Sequence, residues 1–256
     1  MTTMQAAADP IARVQLTDGE IKFYQQEGWL FLPGVMTEQT AGLLRSEVME
    51  IMRVIGLATT KLKQSNEFLG GSGLEKLVYS ENLLSIASQL MGGPATPYLP
   101  FTAVKSPGGG RFYFHQDNQY TRFDGPGINL WMALNPMTPE NGCLQLVPRS
   151  HLAGTLEGKD SSDGELQRMV LYDPEDFLPI RMRPGDLVAF TRLTVHGSGA
   201  NDTSEPRVGY AMQYHRNDVK WLDPTTKEWK LLVEHPRWSW KAVKHITPPA
   251  GKVDGH

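Results

Sequence analysis

Apolar residues recur at spacings of three and four along the first third of the chain, then give way to short, turn-bounded runs. Thr17, with Glu20 three residues on, has the form of a capping box, which predicts a helix to about Gln26, stopped by Gly28. Trp29-Leu30-Phe31-Leu32 follows as a short strand ended by Pro33-Gly34. Thr37 to Thr40 opens a longer helix, whose Leu43, Leu44, Val48, Ile51, Met52 and Ile55 keep the helical spacing. A third helix is predicted over residues 80–91, closed by Gly92-Gly93-Pro94. The polar, Gly-rich stretch 59–73 reads as loop.

From Ala95 the texture changes. Residues 98–105, 110–115, 127–134, 143–148, 177–182, 186–191 and 207–215 read as short strands. Turn signals separate them, among them Pro107-Gly108-Gly109-Gly110, Asp124-Gly125-Pro126-Gly127 and Pro184-Gly185-Asp186. The 25 glycines and 18 prolines are spread through the chain, as a barrel or sandwich with many corners needs. The expectation is one domain over residues 16–246, mostly β, with a helical layer at its N-terminal side. Residues 1–15 and 247–256 are expected to be loose ends.

Composition narrows the partners. With 256 residues the chain can bury a sizeable core unaided. A formal net charge of −3 offers no footprint for nucleic acid or an anionic membrane. The first 15 residues lack a basic segment followed by an apolar run, and no apolar stretch nears the ~20 residues of a membrane span, so the cytoplasm is expected. The single cysteine, Cys143, excludes internal disulfides and a thiolate-held metal site. Four of six tryptophans, Trp221, Trp229, Trp238 and Trp240, fall in the tail, as core, as a cover for the barrel mouth or as an oligomer contact.

His115-Gln116-Asp117 is the first chemical signal. On an extended chain residues two apart share a face, so an imidazole and a carboxylate would project together. They make two thirds of a facial triad of two histidines and one carboxylate, which binds non-haem Fe(II). The pair alone is weak evidence, since two such neighbours can simply share a hydrogen bond. Downstream, a hairpin reading places His196, Ser198 and Arg207 near one another. A metal-facing histidine, a hydroxyl and a forked cation suit a chelating 2-oxo dicarboxylic acid. The plainer alternatives are a core histidine and a surface arginine beside Glu205.

Taken in order, His115-Gln116-Asp117, Trp131, Asn141-Gly142-Cys143-Leu144, Pro148-Arg149-Ser150-His151, Pro184-Gly185-Asp186, His196-Gly197-Ser198 and Arg207 resemble the phytanoyl-CoA dioxygenase family, which includes ectoine hydroxylase. The resemblance covers residues 16 to 216. It implies a double-stranded β-helix (a cupin-like jelly roll) with flanking helices. It implies Fe(II) at His115, Asp117 and His196, which are then the catalytic set. It implies 2-oxoglutarate at Arg207 and Ser198, with Trp131 and either Phe101 or Thr102 beside it, and a lysine at Lys61 or Lys63. Because Asp117 keeps the carboxylate, halogenation is not expected. The implied reaction decarboxylates 2-oxoglutarate to succinate and CO₂ with O₂ and hydroxylates a small-molecule metabolite. Desaturation, epimerisation and cyclisation are alternatives within the family, as are, outside it, a silent metal- or ligand-binding cupin and a zinc or manganese isomerase or hydrolase.

Residues flanking the metal motif are the substrate candidates: Phe112, Asn118, Gln119, Tyr120 and Arg122, with Gln213 and His215 on the Arg207 strand. No basic groove for coenzyme A phosphates is evident. The polar loop 155–167 is either a cover over the site or a plain surface loop. A homodimer is left open.

Overall fold

A computed structural model describes residues 9–55, 62–65, 68–69, 73–161, 167–232 and 245–246. Helix α1 (Asp18–Glu27) starts as predicted, with the reciprocal Thr17–Glu20 capping box, and ends at Gly28 in the left-handed conformation, φ 81°. Helices α2 (Glu38–Ile55) and α4 (Glu81–Met91) also fall where the periodicity puts them, the latter capped by Ser80. The stretch read as loop differs: it carries a short strand, Leu62–Ser65, and runs into a one-and-a-half-turn helix α3 (Gly73–Val78). Leu74, Leu77 and Val78 are buried there, so tertiary packing overrides the glycine-rich composition.

Ten strands build two facing sheets: β1 (Trp29–Leu32), β2 (Leu62–Ser65), β3 (Ala95–Lys105), β4 (Phe112–His115), β5 (Gly127–Ala133), β6 (Leu144–Leu146), β7 (Leu178–Pro179), β8 (Leu187–Thr191), β9 (His196–Ser198) and β10 (Arg207–Arg216). The larger sheet has the order β1-β8-β5-β10-β3-β2, the smaller β7-β6-β9-β4, and every pairing in both is antiparallel. This interleaved order is that of the expected jelly roll.

Side-chain alternation divides the core in two. From the larger sheet, Ile128, Leu130, Met132, Val104, Leu187, Ala189, Val208, Tyr210 and Met212 face the helices, where Leu44, Val48, Ile51, Leu83 and Ile86 meet them. The intervening positions, Trp131, Ala133, Ala103, Val188, Phe190 and Ala211, face the smaller sheet and join Leu144, Leu146, Met137 and Cys143. Because both faces of the larger sheet are covered, its strands read as nearly continuous apolar runs. Gly209 is forced by this packing: a Cβ there would sit 2.8 Å from the Trp131 ring.

The expected loose N-terminus is anchored from Asp9 onward. Ile11 is buried, and Asp9 accepts hydrogen bonds from Ser80 Oγ (2.7 Å) and the Asn82 amide (3.1 Å). In the tail, Trp221 packs with Tyr98, Phe123, Val219 and Leu232 in a small satellite core, while Trp229 is exposed. Trp238 and Trp240 lie outside the described residues.

Candidate active site

The cavity between the sheets is lined by the aromatic rings of Phe101, Phe112, Trp131 and Phe190 with Leu144. Two polar groups stand in it. At one end are His115, Asp117 and His196; at the other are Ser198 and Arg207.

The first group comes from adjacent strands. His196 on β9 is the register partner of His115 at the end of β4. Asp117 follows two residues on, where the strand gives way to a 3₁₀ turn, Asp117–Gln119. Asp117 Oδ1 lies 4.0 Å from His115 Nε2 and 3.8 Å from His196 Nε2. Candidate ligand atoms of all three residues lie within 4.8 Å of one another. His115 Nδ1 donates to the Tyr113 carbonyl (2.8 Å), and His196 Nδ1 to the Thr194 carbonyl (2.9 Å). A carbonyl only accepts, so the proton of each neutral ring sits on Nδ1 and the Nε2 lone pair faces the carboxylate. Burial, reinforced by the neighbouring His196, holds the His115 pKa well below the usual imidazole range, which favours the neutral, ligating form.

Gln116, the middle residue of the motif, points the other way. Its fully buried amide donates to the Gly154 and Leu193 carbonyls (2.9 and 2.6 Å) and accepts from the Leu156 amide (2.8 Å). It ties the metal-side turn to two other loops. Sequence reasoning gave it no role, although its place between two ligands on alternating backbone was a signal.

Arg207 is the first inward residue of β10 and is 1% exposed. Its three guanidinium nitrogens have no hydrogen-bond partner. The Trp131 ring lies 5.3 Å from the guanidinium carbon. Burial pulls its pKa down to about 10, which still leaves it charged near neutrality. An orphaned, buried, forked cation fits the distal carboxylate of 2-oxoglutarate, and the three-donor face fits iron. The surface alternative for Arg207 is thereby removed.

Several expected neighbours are placed elsewhere. Thr102 shares the parity of Val104 and belongs to the helix-facing side of β3, so Phe101 and not Thr102 lines the cavity. Asn118 is buried in scaffolding, donating to Thr155 Oγ1 (2.5 Å) and accepting from the Phe123 amide and Arg192 Nε (2.9 Å each). His215 stacks on Phe123 at 4.2 Å and contacts Arg192. Gln119 donates to the Leu156 and Glu157 carbonyls, and Arg122 is exposed. Asn118, Gln119 and Arg122 flank the motif in sequence, but the 3₁₀ turn carries them past the cavity.

Phe112 does line the cavity. Tyr120 stands at its rim, edge-on to His115 at 5.4 Å, with its hydroxyl accepting from the Arg168 amide. Gln213 is the register partner of the cavity residue Asn129, on the inward face of β10. In loop 155–167, Gly158–Asp160 pairs with Arg168–Val170 just beyond it as a small ribbon. Lys61 and the side chain of Lys63 lie outside the described residues. The lysine that the structure does bring to the site is Lys105, whose Nζ donates to Ser198 Oγ at 2.8 Å.

A jelly roll that closes around two histidines and a carboxylate, with a buried arginine behind them, defines a 2-oxoglutarate-dependent non-haem iron dioxygenase. Residues 24–209 match the family described as phytanoyl-CoA dioxygenase (PhyH), and the chain belongs to that family. It is 29% identical over 215 residues to a methylphosphonate hydroxylase of Gimesia maris, covering 78% of this chain and 81% of the relative. It is 30% identical over 233 residues to the dioxygenase lolE1 of Epichloe uncinata, covering 83% and 87%. In fold it is similar to EvdO2 of Micromonospora carbonacea complexed with 2-oxoglutarate, with a TM-score of 0.66, 20% identity and coverage of 89% and 98%.

Proposed function

We propose that this chain hydroxylates a small, uncharged or weakly polar metabolite, taking up O₂ and converting 2-oxoglutarate to succinate and CO₂. Bound iron with 2-oxoglutarate and O₂ supplies the oxidising power for the C–H bond. The residues of this chain supply everything around it. His115, Asp117 and His196 hold the metal; Arg207 and Ser198 hold the far carboxylate of the cosubstrate. Phe101, Phe112 and Phe190 keep water from the reacting carbon. The carrying observation is the Arg207 guanidinium, buried and without a hydrogen-bonding partner on the wall opposite the triad.

Arg207 is the one cation among the described residues that line the cavity, the other lining being mostly aromatic, which favours a substrate without a phosphonate or a coenzyme A tail. The catalytic unit is read as one domain over residues 16–246. Its lone thiol, buried and free, suits a reducing compartment such as the cytoplasm. The test is a metabolite screen read as succinate release. Succinate should require Fe(II), 2-oxoglutarate and a substrate together; succinate that forms equally in Asp117→Ala protein sinks the reading.

A further inference from the structure

We propose that Asn129 and Gln213 form the substrate-recognition subsite of this cavity and that they take a neutral amide. Such a group offers an N–H donor and a carbonyl acceptor on one edge, as a lactam does. The proposal rests on the reading that this chain oxidises a small uncharged molecule beside the triad, and it names the chemical class of that molecule.

Register sets the two carboxamides side by side. Asn129 on β5 pairs with Gln213 on β10. Directly opposed residues have their Cβ atoms about 5 Å apart. The row continues to Phe190 on β8 and to Leu99 on β3. The next inward row is Val188, Trp131, Ala211 and Phe101. Two polar heads therefore stand in an apolar frame. The β3–β10 register shifts between Gln213 and Tyr214, and a bulge of this kind bends the strand. Beyond it His215 turns into the stack on Phe123. Gln213 is half-buried, where every residue of β10 from Arg207 to Met212 is buried. It stands at the opening of the row, with Asn129 deeper.

Hydrogen bonding fixes what each head offers. Asn129 is 2% exposed, lines the cavity, and turns Nδ2 toward Asp117 Oδ2 at 3.5 Å. The reverse orientation would set two oxygens against each other, so the carboxylate decides the flip and leaves Oδ1 free. Oδ1 has no partner among the described residues. A buried acceptor left unanswered is costly, and an N–H donor answers it. Among the described residues no hydrogen bond ties down the Gln213 amide, so its NH₂ is available to a carbonyl. Neither head is charged, and the surrounding wall of Phe101, Phe112, Trp131 and Phe190 also suits an uncharged ligand. A ketone satisfies Gln213 alone. A lone hydroxyl must serve both heads from one atom. An amide has one atom for each. Because Asn129 touches Asp117, the N–H lies at the metal end and the carbonyl toward the opening.

The test is calorimetric titration of anaerobic protein, loaded with Fe(II) and 2-oxoglutarate, with neutral bicyclic probes of one shape. Hydrocarbostyril, a lactam, carries both the N–H and the carbonyl. 2-Tetralone lacks the N–H, tetrahydroquinoline lacks the carbonyl, and 2-tetralol carries a hydroxyl alone. The lactam should bind about tenfold tighter than each of the others, the loss expected when a buried polar group is left unpaired. Asn129→Leu should bring the lactam and 2-tetralone within about twofold of one another, and Gln213→Leu should do the same for the lactam and tetrahydroquinoline. A wild type that does not bind the lactam, a wild type that does not prefer it, or equal losses of every probe in both variants overturns the proposal. The wild-type ranking decides even if a variant does not fold. Wild type that fails to bind 2-oxoglutarate overturns the cosubstrate reading, a separate outcome, and the ranking is then read on protein loaded with Fe(II) alone.

Discussion

The two ends of one cavity are built on opposite principles. At the triad, each histidine spends one nitrogen on a backbone carbonyl and turns the other inward, so the ligand geometry is set before a metal arrives. At the arginine end, the Arg207 guanidinium and the Lys105 amine come from register partners, with no acid among the described residues to answer them. The first end is preorganised at little cost to the fold. The second is a site of electrostatic tension that a dicarboxylate relieves. The ends should therefore respond differently when broken.

The largest effect is expected at the triad. His196→Ala or Asp117→Ala should lower iron affinity by more than about 100-fold, since even supporting residues around a metal are worth about 10–100-fold. Turnover should be lost with it, while binding studied without metal changes little; metal titration and succinate release check both. Next comes Arg207→Met, which should raise the KM for 2-oxoglutarate by about 30-fold or more, the loss expected when one partner of a buried charge pair goes. Iron affinity should stay within about twofold. The apo protein should become more stable, because an unpaired buried charge is replaced by a well-packed apolar chain, a gain of about 1–4 kcal/mol. At about 2–4 °C per kcal/mol for a chain of this size, thermal melting resolves it. A lowered melting point would remove the tension argued for this end.

Gln116→Ala comes third. It deletes three hydrogen bonds that join the triad's turn to residues 154–156 and 193. A loss of about 2–3 kcal/mol of stability is expected, with iron affinity down about tenfold because Asp117 loses its backing. Denaturant melts and metal titration measure the two; stability lost with iron affinity intact would show that the triad does not depend on this turn.

How much of this the sequence carried depends on range. The capping box at Thr17 and the periodic face of α2 are local, and both stand where they were read. The triad was legible because its backbone alternation is local on one side and its partner strand carries a matching histidine. Thr102 was misplaced because strand parity alone does not say which face is inward when helices cover the other. Asn118 looked like a pocket residue by proximity to the motif and His215 by its place on the Arg207 strand, but the 3₁₀ turn carries Asn118, and the Arg192 bonds both, into scaffold. Lys105 was invisible, since its partner Ser198 lies 93 residues away on the other sheet, and the β3–β10 register sets Lys105 beside Arg207.

Between the two ends stands Asn129, and the smallest predicted effect belongs to it. It is on β5, 2% exposed, two residues before Trp131 and on the same inward face. Its Nδ2 reaches Asp117 Oδ2 at 3.5 Å, and its Oδ1 has no partner. That separation is at the limit of a hydrogen bond, so the contact steadies Asp117 only slightly. Asn129→Ala should change iron affinity by less than about threefold, within the range of a weak neutral hydrogen bond. The unanswered carbonyl oxygen has the larger consequence: it offers an acceptor to a substrate hydroxyl or amine beside the metal. For a substrate with such a donor, Asn129→Ala should raise KM by about fivefold to tenfold with 2-oxoglutarate KM unchanged. A change confined to iron affinity would place Asn129 wholly with the triad. A change in 2-oxoglutarate KM would place it with Arg207, and the division between the two ends would need redrawing.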